Sequence, residues 1–129
     1  MTTVRNAIIV ADDSKVIRNI VEKAIGKDIR VLQASDGMEV IKYIKNREYN
    51  ILAILLDLNM PIYDGFMVLD YFRNNELFKR IPVSVISGDD SELTIKKAFS
   101  YDIVDMLNKP FSYEKIRNII EKTINQKKV

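Results

Sequence analysis

Residues Ile51–Pro61 read ILAILLDLNMP: six apolar residues, an aspartate, then a polar turn closed by proline. The apolar run is too short for a typical helix and rich in branched side chains, so it reads as a strand. An aspartate directly behind such a strand is costly to bury and has little purpose as a mere solvated loop residue. The role of Asp57 is therefore the question on which the rest of the sequence bears.

Outward from this strand the same pattern recurs. Asn6–Ala11 (NAIIVA), Ile29–Ala34 (IRVLQA), Val83–Ser87 (VSVIS) and Ile103–Asn108 are further short, branched, apolar runs. Helical spacing fills the intervals. Val16, Ile17, Ile20, Val21, Ala24 and Ile25 repeat on one face, with Gly26 placed to end that helix. Asp36-Gly37-Met38-Glu39 fits a capping box opening a helix through Arg47, with Val40, Ile41 and Ile44 inward. A third helix is predicted over Gly65–Asn74 and a fourth from Asp90 to Tyr101. The fifth, Tyr113–Gln126, carries Ile116, Ile119, Ile120 and Ile124 on one face. Five β-α units in strict alternation imply an α/β fold: a doubly wound, five-stranded parallel sheet with helices on both faces. Near-continuous apolar strands agree, because both faces of such a sheet are covered. Right-handed crossovers bring every strand's C-terminal end to one edge, where ligands of open α/β sheets bind.

Composition narrows the chemistry. The 129 residues predict one domain over 1–129, soluble and cytoplasmic, with 47% hydrophobic and 29% charged residues. No apolar run approaches the ~20 residues of a membrane span, and the MTTVRNAIIVADD start lacks a signal-peptide layout. With no cysteine and no histidine, disulfides, thiolate or imidazole metal sites and Ser-His-Asp catalysis are excluded. A net charge of +2, with a basic cluster only at Lys127-Lys128, gives no case for nucleic-acid binding. Carboxylates, hydroxyls, lysine and arginine are what remain.

Those groups gather at the predicted edge. The first strand ends in Asp12-Asp13, the third in Asp57, the fourth in Ser87 and the fifth in Lys109-Pro110. Singly, each has a plain explanation: Asp13 as a helix cap, Asp57 as the start of a turn with Asn59 and Pro61, Ser87 as a strand-end hydroxyl, Lys109 as a solvated lysine. Jointly these fail, since caps do not explain two adjacent acids facing a third on a neighbouring strand. Two unit charges ~4 Å apart repel by roughly 4 kcal/mol at an effective dielectric of ~20. Three such carboxylates must shift their pKa values or recruit a cation. A hard ion such as Mg²⁺, held by one or two carboxylates with waters and a phosphate, fits oxygen-only ligands. Acids around a metal, with lysine and hydroxyl nearby, are equipment for phosphoryl transfer to a carboxylate nucleophile. On this reading Asp57 ends an apolar strand because a nucleophile must be held rigidly beside its metal.

Asp12-Asp13, the segment Asp57-Leu-Asn-Met-Pro-Ile-Tyr-Asp64-Gly65, Ser87 and Lys109-Pro110-Phe111 together resemble the receiver domains of bacterial two-component response regulators, the CheY-like fold. The similarity runs from about Val4 to Ile124. It implies a flavodoxin-like three-layer sandwich with strand order 2-1-3-4-5. It implies that Asp57 accepts a phosphoryl group from the phosphohistidine of a sensor histidine kinase or histidine phosphotransfer protein. In the family's pattern Asp13 ligates Mg²⁺ directly, Asp12 largely through water, and Asp57 and the Asn59 backbone carbonyl complete the protein's share. Lys109 would pair with the phosphoryl group and the Ser87 hydroxyl would hydrogen-bond it. Asn59 and Asp89 occupy positions that tune dephosphorylation, although Asp89-Asp90-Ser91-Glu92 also fits a capping box for the fourth helix. The resemblance further implies a cis Lys109–Pro110 bond, and a phosphorylation-dependent dimer or target face made by the fourth helix, fifth strand and fifth helix. Beyond its own phosphorylation and autodephosphorylation, no enzyme activity is expected.

Three positions depart from the family. Ser87 replaces the commoner threonine and keeps the donor. Asp102-Ile103 replaces a Gly-Ala pair before the fifth strand. Met106 stands where an aromatic ring usually couples hydroxyl movement to the signalling face, and methionine is flexible and weakly specifying. Of the rival functions, a haloacid-dehalogenase-like phosphatase wants Asp-x-Asp on its first strand and a cap insertion. A phosphorylation-independent pseudo-receiver should lack the aspartate or lysine, and a flavodoxin-like carrier needs a hydroxyl-rich phosphate loop where this chain has DDSKV. With no output domain after the fifth helix, the chain reads as a stand-alone regulator or a receiver cut from a longer protein, with kinase and output unspecified.

Overall fold

A computed structural model describes residues 4–126; the Lys127-Lys128 cluster lies outside them. Five strands alternate with five helices: β1 (Arg5–Ala11), α1 (Lys15–Ile25), β2 (Arg30–Ala34), α2 (Gly37–Lys45), β3 (Tyr49–Asp57), α3 (Gly65–Asn74), β4 (Val83–Ser87), α4 (Glu92–Phe99), β5 (Met106–Asn108) and α5 (Tyr113–Gln126). All pairings are parallel and the strand order is β2-β1-β3-β4-β5, as anticipated. Among the described residues no helix is long and apolar enough to cross a membrane.

Alternation along the strands builds two cores. Ile9 and Ala11 of β1, with Ile54 and Leu56 of β3, pack beneath α2, α3 and the end of α4 among Val40, Val68, Phe72, Ala98 and Tyr101. Ile8, Val10, Ala53 and Leu55 face the other way, against Val21 of α1 and Ile116, Ile119 and Ile120 of α5. The β1–β3 register slips at Leu52, so Ile51 and Ile54, three apart, share one face. Of the predicted α5 stripe, Ile124 is only half-buried, while Thr123 is fully buried and pairs with the Ser84 hydroxyl of β4 at 2.6 Å.

Every helix start is closed by a side-chain oxygen: Ser14, Asp36, Asp64 and Ser91 accept the amides of Ile17, Glu39, Met67 and Thr94, and Ser112 that of Lys115. These contacts correct several expectations. Ser14, not Asp13, caps α1. At α2 the Glu39 carboxylate takes the Ser35 amide and hydroxyl rather than the Asp36 amide, and the helix stops at Lys45 because Asn46 turns its side chain to the Glu48 amide. At α4 the cap is Ser91. Asp89 instead accepts the Ser91 amide and the Thr94 hydroxyl, so the predicted box is displaced and the helix begins at Glu92. β5 is shorter than predicted, because Ile103 closes a turn onto the Tyr101 carbonyl; at the open edge the Asp105 carboxylate accepts the Met106 amide.

The segment from Leu58 to Asp64 is held tightly. Gly65 donates its amide to the Leu58 carbonyl at 3.0 Å, and the Gly37 amide reaches the Tyr63 carbonyl at 2.7 Å. Within it the Tyr63 amide bonds the Pro61 carbonyl at 2.7 Å across Ile62, whose φ is 68°. An i→i+2 bond around a positive φ is the rare, strained form of γ-turn, and it is unusual for a β-branched residue. A Cβ on Gly65 would collide with the Asp57 carbonyl oxygen and lie 2.7 Å from the Leu58 Cα, both backbone atoms that cannot swing aside. Gly65→Ala should therefore lower stability by about 2–4 kcal/mol, read as the urea midpoint, because α3 must withdraw from the end of β3.

Candidate functional site

The C-terminal ends of the strands deliver the predicted residues to one place. Asp12 and Asp57 are buried, at 0% and 2% exposure, whereas Asp13 is exposed. Carboxylate oxygens of Asp12, Asp13 and Asp57 all lie within 4.8 Å of one another. Lys109 reaches over them, its Nζ 2.7 Å from Asp12 Oδ2 and 3.2 Å from Asp57 Oδ2. The Lys109–Pro110 bond is cis, as the resemblance implied.

Local bonds fix each acid. Asp57 Oδ1 accepts the Asn59 amide at 3.2 Å, so the Asx turn considered from the sequence is present alongside the cluster. Asp12 Oδ1 accepts the Ser14 amide at 2.9 Å, and the Asp12 carbonyl accepts Arg18 Nη1 at 2.7 Å. Arg18 also donates to Gln33 of β2, tying α1 and β2 to the end of β1. Sequence reasoning missed this residue; its only signal is a lone arginine among the apolar positions of α1. Asp12 Oδ2 is the one buried side-chain polar atom among the described residues that lacks a hydrogen bond. The Lys109 ammonium is near enough to attract it but is not aligned to donate to it.

The remaining predicted residues stand apart from this cluster. Ser87 is buried, but its hydroxyl accepts the Asp89 amide at 3.0 Å and donates to the Asp89 carbonyl at 3.2 Å, inside its own loop. The Lys109 amide bonds the Ser87 carbonyl at 2.7 Å, keeping the two strand ends in register. The Asp89 carboxylate is exposed and engaged by Ser91 and Thr94, which hold its pKa below the usual carboxylate range. Asn59 is exposed beside Asp57. Met106 is half-buried and packs against the core beneath α3 and α4.

Electrostatics single out Asp57. Burial, and secondly the Asp12 carboxylate, push its pKa up to about 6 against the opposing pull of Lys109 and the Asn59 amide. Burial works against the Lys109 ammonium, but contact with Asp12 and the charge of Asp57 outweigh it and raise its pKa. Two buried carboxylates with one ammonium, one exposed carboxylate and one unsatisfied oxygen form an oxygen-only donor set short of positive charge. That set fits a hard divalent cation, with Asp12, Asp13 and Asp57 as its protein ligands.

Comparison with known proteins agrees with this geometry. Residues 8–121 match the family described as response regulator receiver domain. The chain is 34% identical over 117 residues to protein PilG of Pseudomonas aeruginosa, covering 88% of this chain and 84% of PilG. Its fold superposes on the phosphorylated cyanobacterial phytochrome response regulator RcpA with a TM-score of 0.81 at 25% identity, covering 95% of this chain and 96% of that one. For the receiver domain of the Francisella response regulator 1452 the TM-score is 0.79 at 29% identity, covering 93% and 97%.

The raised Asp57 pKa fixes the sign of a stability effect. The folded carboxyl holds its proton up to about pH 6, the unfolded one only to about 3.9. Folding therefore takes up a proton between these values, and stability falls as pH rises from about 4 through 6. Without divalent cations, Asp57→Asn should be more stable than the wild type by about 1–3 kcal/mol at pH 7.5 and nearly equal at pH 4, in urea titrations at both.

Proposed function

The chain belongs to the response regulator receiver domain family, and we propose that it is a phosphorylation-operated switch with Asp57 as the phosphoacceptor. The observation that carries this reading is the convergence of three carboxylates, one with a buried unsatisfied oxygen, beneath a single lysine. Receiver domains work with histidine kinases or phosphotransfer proteins, and the proposed donor is a phosphohistidine on such a partner. An Asp57 carboxylate oxygen attacks phosphorus and forms the O–P bond while the P–N bond breaks. The electron pair passes to the ring nitrogen, and an imidazole already protonated at its other nitrogen leaves neutral, needing no proton from this histidine-free chain.

Mg²⁺, held by Asp12, Asp13 and Asp57 with the Asn59 carbonyl, supplies charge neutralisation for the phosphoryl oxygens when bound. Lys109, already paired to Asp57, transfers its attraction to the new phosphoryl group. Asp57 enters as the carboxylate, the form that metal and lysine favour over the proton. Ser87 leaves its bonds to the Asp89 backbone to donate to a phosphoryl oxygen, and that exchange loosens the segment leading into α4. The proposal includes no turnover of external substrates, a cytoplasmic setting, and an output through the face of α4, β5 and α5. Incubation with acetyl phosphate and Mg²⁺ should give one phosphoryl adduct in the intact mass, absent in Asp57→Asn and abolished by EDTA. Equal labelling of Asp57→Asn would overturn the assignment.

Met106 bears on the output. A rigid ring fills one volume or another, whereas methionine occupies several partly filled positions at similar energy. Tyr101 meanwhile ties the end of α4 to α3, its hydroxyl on Asp70 and its ring under the Arg73 guanidinium at 4.5 Å. Met106→Tyr should thus enlarge the beryllofluoride-induced amide shifts of Lys97 and Tyr101; equal shifts in the two proteins would show that methionine transmits as well as a ring.

A further inference from the structure

Ile62 is 82% exposed and sits at φ 68° in a turn that its neighbours impose. Tyr63 is fixed to Gly37, Gly65 to Leu58, and Asp64 to the start of α3, so the chain between them has no freedom to relax. Glycine or asparagine would adopt this backbone at less cost. Because the side chain is almost wholly in water, an isoleucine here returns little to the fold for its strain. Strain of this kind, on the loop leaving Asp57, points to a contact made outside the chain.

The rest of the rim supports that contact. Val16, Met38, Met67, Leu93 and Tyr113 are exposed large apolar residues, and each lies in the first turn of a different helix, α1 to α5. Every helix follows a parallel strand, so all five first turns border the edge that holds Asp57. The exposed charges among them are mainly acidic: Asp13, Asp89, Asp90, Glu92 and Glu114, against Lys15 and Lys115. An apolar ring with acidic flanks complements a surface of apolar side chains flanked by lysine or arginine.

We propose that Ile62 is the apolar anchor by which the phosphodonor protein docks over Asp57, its phosphohistidine bordered by apolar and basic side chains. The inference rests on the reading of Asp57 as phosphoacceptor. Small donors need no such docking, and phosphoramidate carries the same P–N bond as phosphohistidine, so the two donors differ only in surface.

The test compares phosphoramidate with the autophosphorylated histidine kinase, from the same genome, that labels the wild-type chain fastest. In Ile62→Asn, labelling by phosphoramidate should be unchanged within about twofold, while kcat/KM for transfer from the kinase should fall about tenfold or more. Ile62→Val should keep kinase transfer near wild type. The melting temperature of Ile62→Asn should equal or exceed the wild type's, which separates lost docking from lost folding; Ile62→Gly serves as the second variant. Undiminished kinase transfer to Ile62→Asn and Ile62→Gly overturns the proposal. So does labelling of the wild type by phosphoramidate but by no kinase, or self-association of the wild type that Ile62→Asn abolishes, which would make a second copy the occupant. Failure of phosphoramidate to label the wild type would instead remove Asp57 as phosphoacceptor.

Discussion

Two buried carboxylates share one ammonium. Asp12 and Asp57 sit nearly unexposed at the ends of adjacent central strands, beneath Lys109, which follows β5. The arrangement is unstable on its own terms: burial, and then the Asp12 charge, raise the Asp57 pKa, and the Lys109 ammonium is the one partner of Asp12 Oδ2 among the described residues. The hydrophobic sheet supplies the free energy that tolerates it. Ile8 to Ala11 and Ile54 to Leu56, covered on both faces, hold the strand ends rigidly enough that the charges cannot drift apart. The site is thus poised for cationic charge, which a divalent cation would supply.

Rigidity is distributed unevenly around that cluster. On one side, Leu58–Gly65 is pinned by a backbone bond to α2 and by another that ties its own two ends together, and the Gly65 helix start presses against the Asp57 carbonyl. On the other side, the loop after Ser87 is held by its own side chains, with Ser87, Ser91 and Thr94 all bonded to Asp89. Those bonds lie largely in solvent and are cheap to exchange. The fixed side suits a nucleophile and a docking contact, and the exchangeable side suits a switch. The Asp89 carboxylate is also turned toward α4 rather than toward Asp57, so any influence on phosphoaspartate hydrolysis requires Thr94 and Ser91 to release it.

Much of this was legible in the sequence, for physical reasons that differ by element. β4, α3 and α5 fall on their predicted bounds, because branched runs and 3.6-residue periodicity record burial directly. The gathering of Asp12, Asp13, Asp57 and Lys109 at one edge followed from alternation and crossover handedness, whereas the strand order followed from the family resemblance. What misled were short-range polar choices. Ser14 and Asp13, or Ser91 and Asp89, compete for the same orphan amides, and the winner depends on backbone angles that composition does not encode. β5 shortened because the chain at Ile103 turns back onto the Tyr101 carbonyl instead of running extended. Arg18 and the turn at Ile62 were invisible, since a lone arginine on a helix and an isoleucine in a loop carry no pattern.

The far side of α4 shows why an intact site does not guarantee an ordinary output. On the proposed switch, a signal from Ser87 would cross the packing among Ala98, Tyr101 and Met106 to reach the surface of α4, β5 and α5. In this chain the ring in that region is Tyr101, buried and held on both sides: its hydroxyl on Asp70, its faces against Phe66 and Arg73. Lys97 in turn lies 4.1 Å above the Phe66 ring. These contacts join α4 to α3 rather than to β5, and the adaptable partner is Met106. A change in the loop after Ser87 thus meets a stiff connection toward α3 and a soft one toward β5. A ligand or modification shifts an equilibrium only by its differential affinity for the two states, so on the proposed switch the α3–α4 seam would carry the larger share of the response.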